Sequence, residues 1–241
     1  MVFVAGVQRS GTNMIMDVLE KSIHTDVYHE RDARAFDNYQ MRPVAAIRAL
    51  YDRSPAAHFV IKGLCELQKL DSLMSEFRPS KVVWVVRDFE DVVNSMLKSF
   101  RNQAKQVQRI ARDPASDGWR GEGMSRQTHE IVARLVGPEI DDASAAALTW
   151  YFRNILFFER KFEHNPDVLL VSYERLVTDP ETEFRRLFHF LGLEFTARVT
   201  CGIFADSIRK KTPPQIAPEI RELCQCTAER FRAAMIHRGS L

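Results

Sequence analysis

The 241-residue chain has no excess of charge of either sign: 34 lysines and arginines face 32 aspartates and glutamates, for a net charge of +2 with histidine neutral. So even a balance gives no bulk attraction to nucleic acid or to an anionic membrane, and any anion site has to be local. Cysteine is scarce. Cys65, Cys201, Cys224 and Cys226 are too few and too scattered for a disulfide framework, and Cys224-Gln-Cys226 has no second ligand pair to complete a zinc site. Reduced thiols in a cytoplasmic protein are the expectation. Long apolar runs are missing too, since "ALTWYFRNILFF" is interrupted by Arg153 and Asn154, so no membrane span is expected. A glycine turn already begins at Gly6, so no secretory leader is expected. There is no internal repeat and no low-complexity tract. With 45% apolar and 27% charged residues the composition excludes disorder, and the length suits one domain spanning residues 1–241.

What is present is an alternation of strand and helix patterns. Val2–Ala5, Phe59–Ile61, Val82–Val86 and Val168–Val171 are short apolar runs rich in β-branched residues, and a weaker one lies near Asp26–Tyr28. Behind the first run, Met14, Ile15, Val18 and Leu19 form a stripe at helical spacing; behind the third, Val92, Val93, Met96, Leu97 and Phe100 do the same. Strands leading into helices predict an α/β fold, a parallel β-sheet flanked by helices. Ala143–Phe162 reads as one long buried helix. Asp179-Pro180-Glu181 opens another that Gly192 closes, and a last one starts near Pro218. Asp113–Gln127 has no apolar periodicity and is expected as a loop, either mobile over a site or a surface insertion.

The chemistry concentrates where the first strand turns into the first helix. "GVQRSGTN" carries Gly6 and Gly11 at the spacing of a phosphate-binding P-loop, but Thr12 and Asn13 replace its lysine and its magnesium-binding hydroxyl. A glycine turn entering a helix aims backbone N–H groups at one point, and Arg9 adds a planar set of donors suited to phosphate or sulfate oxygens. An anion held without a metal fits this loop. At the second such junction, "VVRDFEDVVNS", Arg87 lies at the carboxyl end of a strand, where open α/β sheets bind ligands. Asp88 is placed to cap the helix, with Ser95 about two turns along it. Two other readings stay open at this point. A P-loop kinase would use ATP and magnesium with Asp88 as a metal ligand, although the missing lysine opposes it. A nucleotide-binding protein without catalysis would keep the loop and Arg87 but have no base. His24, His58, His129, His164, His189 and His237 show no metal-ligand spacing, and no metal site is expected.

Together, "GVQRSGTN", "VVRDFEDVVNS" and "VSYERLVTDPETEFRRLFHFLGL" resemble the successive signatures of the sulfotransferases that use 3′-phosphoadenosine 5′-phosphosulfate (PAPS). The likeness is to the branch with Arg-Ser-Gly-Thr in the loop, and it implies the P-loop-like fold of that family. It implies that Arg9, Ser10, Gly11, Thr12 and Asn13 hold the 5′-phosphosulfate and that Arg87 and Ser95 bind the 3′-phosphate. It also implies that a late basic loop, here Arg209, Lys210 and Lys211 in "DSIRKKTPP", closes on that same phosphate, unless those three are a solvated turn. PAPS would be the sulfuryl donor and 3′,5′-bisphosphoadenosine (PAP) the product, with no metal. The acceptor would be a hydroxyl, less readily an amine, of a small molecule or glycan.

Transfer of a sulfuryl group makes the demands of phosphoryl transfer: in-line geometry, and stabilisation of a leaving phosphate that gains charge. Arg9 and the loop amides suit that second task. Lys62, ending the strand "HFVIK", stands where the resemblance places a lysine that reaches the sulfuryl group or bridging oxygen; its alternative is a solvated strand end. The acceptor needs a general base. The cytosolic branch has a histidine two residues after the lysine, but here Leu64 occupies that position. The resemblance to the other branch implies a glutamate after the second strand, which selects Glu30 in "DVYHERDARAF". His29 comes second, with Asp32 nearby, and an ordinary surface pair of Glu30 with Arg31 or Arg34 stands as the competing reading.

Overall fold

The computed structural model describes residues 1–206, 208 and 212–239. The strands are β1 (Val2–Gly6), β2 (Thr25–Tyr28), β3 (Phe36–Asp37), β4 (Gln40–Met41), β5 (His58–Lys62), β6 (Lys81–Val86) and β7 (Val168–Ser172). The helices up to the middle of the chain are α1 (Thr12–Glu20), α2 (Val44–Tyr51), α3 (Leu70–Glu76), α4 (Phe89–Ser99), α5 (Gln103–Arg112) and α6 (Arg126–Leu135). They are followed by α7 (Asp142–Asn154), α8 (Leu156–Glu159), α9 (Tyr173–Thr178), α10 (Pro180–Leu191) and α11 (Pro218–Gly239). Contacts gather these elements into two compact units. One comprises Met1–Gly6, Gly11–Val85 and Asn165–Ala205; the other comprises Val7–Ser10, Val86–His164 and the chain from Asp206 onward.

The first unit is built on a five-stranded sheet in the order β2-β5-β1-β6-β7, in which β1 runs parallel to β5 and β6, and β2 parallel to β5. Every residue of β1 is buried, as a strand covered on both faces requires. Burying side chains such as Phe3 and Ile61 contributes roughly 1.5–3 kcal/mol each. The expected strands are all present. The weakest in sequence, β2, is the edge strand: only Tyr28 is fully buried there, stacked on Phe59 with ring centroids 4.5 Å apart. Parallel register brings the carboxyl ends of the strands to one edge, since Val4 pairs with Lys62, and Tyr28 with Ile61. Glu30 follows two residues beyond Tyr28. The antiparallel pair β3–β4 was not anticipated; it is two residues per strand, turned by Asn38 and Tyr39 at φ 47° and 65°, too short to leave an alternating pattern.

The second unit is helical. In α7 every residue from Ser144 to Asn154 is buried, and α4, α5 and α11 pack around it, which explains its lack of a polar face. The single helix expected over Ala143–Phe162 is interrupted at Ile155. There the ladder tightens, with the Phe158 N–H reaching the Ile155 carbonyl at 3.0 Å, so that Phe157 and Phe158 both pack on Phe231. Asp113–Gln127 is more regular than expected of a loop. It contains 3-10 turns within Pro114–Arg120, broken by a kink at Asp117 and Gly118, and the start of α6, and the Arg153 guanidinium donates to the Trp119 carbonyl at 2.8 Å. Among the described residues no helix is long and apolar enough to cross a membrane.

Candidate active site

In the first unit the candidate residues meet on Lys62. Its side chain is 2% exposed at the end of β5, and its ammonium donates to the Glu30 carboxylate (Nζ to Oε2, 2.5 Å) and to the side-chain oxygen of Asn13, in the first turn of α1. Burial pushes the Lys62 ammonium below the ordinary lysine range, and the bond to Glu30 pulls part of the way back. Burial pushes the Glu30 carboxyl upward. The hydrogen bond and charge of Lys62 outweigh this and hold it below the ordinary carboxylate value. Glu30 is therefore an anion at neutral pH, tied to an ammonium rather than to Arg31 or Arg34.

The turn into α1 is shaped by two glycines. Gly6 packs so closely under β6 that a Cβ there would stand 2.5 Å from the Val85 carbonyl oxygen. Gly11 has φ +97°, and its Cβ would fall 2.2 Å from the Tyr173 ring. No side chain caps α1, and its first turn holds no acidic residue, so the N–H groups of that turn keep their capacity for an anion. Between the glycines, Ser10 is fully buried and its hydroxyl has no hydrogen-bond partner. An orphaned buried hydroxyl suits a ligand rich in acceptor oxygens.

In the second unit, Arg9 adopts the left-handed conformation (φ 70°), and its Nε donates to the Ser95 hydroxyl on α4 at 2.8 Å. Arg87 donates to the Arg9 carbonyl at 3.2 Å, and its own carbonyl accepts from the Trp150 indole at 3.0 Å. Asp88 caps α4: its Oδ1 accepts from the backbone N–H groups of Glu90 and Asp91 at 2.9 and 3.3 Å.

Other candidates go elsewhere. His29 Nε2 lies 3.5 Å from Glu20 Oε2 and 4.0 Å from Asp17 Oδ1, both exposed acids on α1. These three are the one group of potential metal ligands drawn together among the described residues. Asp32 is bound by Arg34, whose guanidinium is 2.6 Å from Oδ2 and holds the Asp32 carboxyl down. Arg209, Lys210 and Lys211 lie outside the described residues. Two features have no signal in the sequence: the engagement of the Asn13 side chain by Lys62, and the burial of Ser10. All four cysteines are free thiols, Cys65 and Cys224 buried.

The sequence model of the sulfotransferase domain family matches residues 1–212, and the chain belongs to that family, whose activity is PAPS-dependent sulfuryl transfer. Among solved structures, the sulfotransferase domain of the Synechococcus PCC 7002 olefin synthase superposes with a TM-score of 0.63 at 14% identity, covering 95% of this chain and 94% of that one. The sulfotransferase domain from the curacin biosynthetic pathway gives 0.58 at 14% identity, covering 95% and 97%. A sulfotransferase from Alicyclobacillus acidocaldarius gives 0.52 at 14%, covering 97% and 92%. These likenesses establish the fold. A search of curated proteins returned no match.

Proposed function

We propose that this sulfotransferase moves the sulfuryl group of PAPS to a hydroxyl, in preference to an amine, of a small molecule or glycan, in line and without a metal, with Glu30 as the general base. The observation that carries the reading is the buried Lys62 ammonium held against Glu30 at the carboxyl edge of the sheet. A base needs to be unprotonated and fixed in place; this one is both. His29, given to the acids of α1, is the weaker candidate.

Donor binding falls to Arg9, Ser10, Gly11, Thr12 and Asn13 for the 5′-phosphosulfate and to Arg87 and Ser95 for the 3′-phosphate. Support comes from the orphaned Ser10 hydroxyl, the uncapped first turn of α1 and the guanidinium of Arg9. PAPS supplies a sulfuryl group on a phosphate leaving group. Lys62, Arg9 and the loop amides would stabilise the charge that grows on that phosphate, in the role a metal plays in P-loop kinases. Glu30 would take the proton from the acceptor hydroxyl as the new oxygen–sulfur bond forms. The family match runs through both compact units, which supports one sulfotransferase domain. Arg-Ser-Gly-Thr in the loop supports membership of the branch that carries it, and free thiols support a cytoplasmic enzyme.

The test is a screen of PAPS turnover against alcohols, phenols, sugars and lipids in the presence of a chelator. Turnover of at least one hydroxyl acceptor is expected, and Glu30→Gln should lower it by about 10²–10⁴-fold, the usual contribution of a general base. Full activity in Glu30→Gln would remove Glu30 from this role. A requirement for magnesium would remove the metal-free mechanism.

A further inference from the structure

We infer that Asn13 is a positioning residue for sulfuryl transfer: its carboxamide oxygen serves Lys62, fixing the ammonium between the head of α1 and Glu30. The inference rests on the reading of Lys62 and Glu30 given above. An ammonium has three donors and no acceptor, so only the carboxamide oxygen of Asn13 can face it. That oxygen is then unavailable for either of its other uses. It does not cap α1, although asparagine near a helix start commonly does. Nor can a carboxamide oxygen, which only accepts, bind an anion; residue 13 would offer an anion its backbone N–H and its side-chain NH2.

The geometry gives this contact a purpose. Lys62 is on β5, Asn13 on α1 and Glu30 beyond β2, so three separate elements converge on one buried nitrogen. A free lysine side chain has about 2 kcal/mol of rotamer entropy, and two acceptors on different elements remove most of that freedom. Two of the three N–H bonds are then committed, and tetrahedral geometry fixes the direction of the third. With one acceptor lost, the ammonium could swing about its bond to Glu30. The other groups acting on Lys62 are the Cys65 thiol on the segment after β5 and the Asp17 carboxylate on α1, both of which favour its charged form, as Glu30 does. Asn13 adds a neutral acceptor to that set and so also favours the ammonium.

The prediction can be read without an acceptor substrate. The side-chain nitrogen of Lys62 is titrated by ¹⁵N NMR in the ligand-free protein, for the wild type, Asn13→Leu and Asn13→Asp. Asn13→Leu removes the acceptor at similar volume and should lower the Lys62 midpoint by about one pH unit, the size of one hydrogen bond to a charged group. Asn13→Asp keeps an acceptor and adds charge, so it should raise the midpoint. A merely structural asparagine would not produce shifts of opposite sign. Equal midpoints in all three proteins would overturn the inference. If Asn13→Leu does not fold, the upward shift in Asn13→Asp decides, and its absence is equally fatal. Thermal stabilisation of the wild type by PAP is measured alongside. Stabilisation with unmoved midpoints overturns the role of Asn13 alone, whereas absence of stabilisation overturns the donor reading and this inference with it.

Discussion

At the turn from β1 into α1 the helix starts with no side-chain cap and no acidic residue, whereas from β6 into α4 Asp88 caps the first turn and Glu90 and Asp91 add negative charge to it. Both junctions follow a buried strand, and both present the positive end of a helix dipole. One satisfies that end from within the chain, and the other leaves its amides without a side-chain cap. A capped junction should therefore matter for stability, and an uncapped one for ligand binding.

The largest effect is expected at the uncapped junction. Gly11→Ala forces a side chain into a left-handed backbone and against the Tyr173 ring. Strain and overpacking together should cost about 2–5 kcal/mol and remove stabilisation by PAP, as read by thermal melts with and without the ligand. An unaltered melt would show that the turn is not held as described. Next comes Arg87, which follows β6. Arg87→Ala should weaken PAP by roughly tenfold to a hundredfold in calorimetry, the range of a lost charge-assisted hydrogen bond, and should affect a nucleotide without the 3′-phosphate far less. Equal weakening of both would refute its assignment to the 3′-phosphate.

A smaller change is expected at the capped junction. Asp88→Ala should lower stability by about 1 kcal/mol through loss of the cap while leaving PAP affinity unchanged. A large loss of affinity instead would break the contrast between the junctions. The smallest effect on stability is the pH dependence carried by Glu30. Its folded-state carboxyl sits below the ordinary value of 4.5, so the pair with Lys62 contributes stability that is complete above that value and is lost as pH falls through the lowered one. Between about pH 6 and pH 3 the melting temperature of Glu30→Gln should fall less than that of the wild type. Parallel slopes would mean that the pair carries no linked protonation.

Sequence made the parallel sheet legible because strands covered on both faces leave uninterrupted runs of β-branched residues, as in β1 and β6. Edge strand β2 left a fainter run, and the two-residue strands β3 and β4 left none. The break at Ile155 was hidden because the aromatic pattern of α7 continues into α8 unchanged. At the site, Glu30 and Lys62 were legible as candidates from strand ends and resemblance. Their hydrogen bond joins residues 32 apart in the chain, and the Asn13 contact spans 49; no local pattern reports either. The late basic segment Arg209–Lys211 was a candidate through resemblance and lies outside the described residues.

The central claim is that the glycine turn with Arg9 binds a phosphosulfate donor without metal. Calorimetric titration of the wild type with PAP in a chelating buffer, beside ATP with magnesium, tests it most directly. Saturable binding of PAP without metal, with ATP–magnesium much weaker, is the predicted result. Binding of ATP–magnesium with none of PAP would contradict the account.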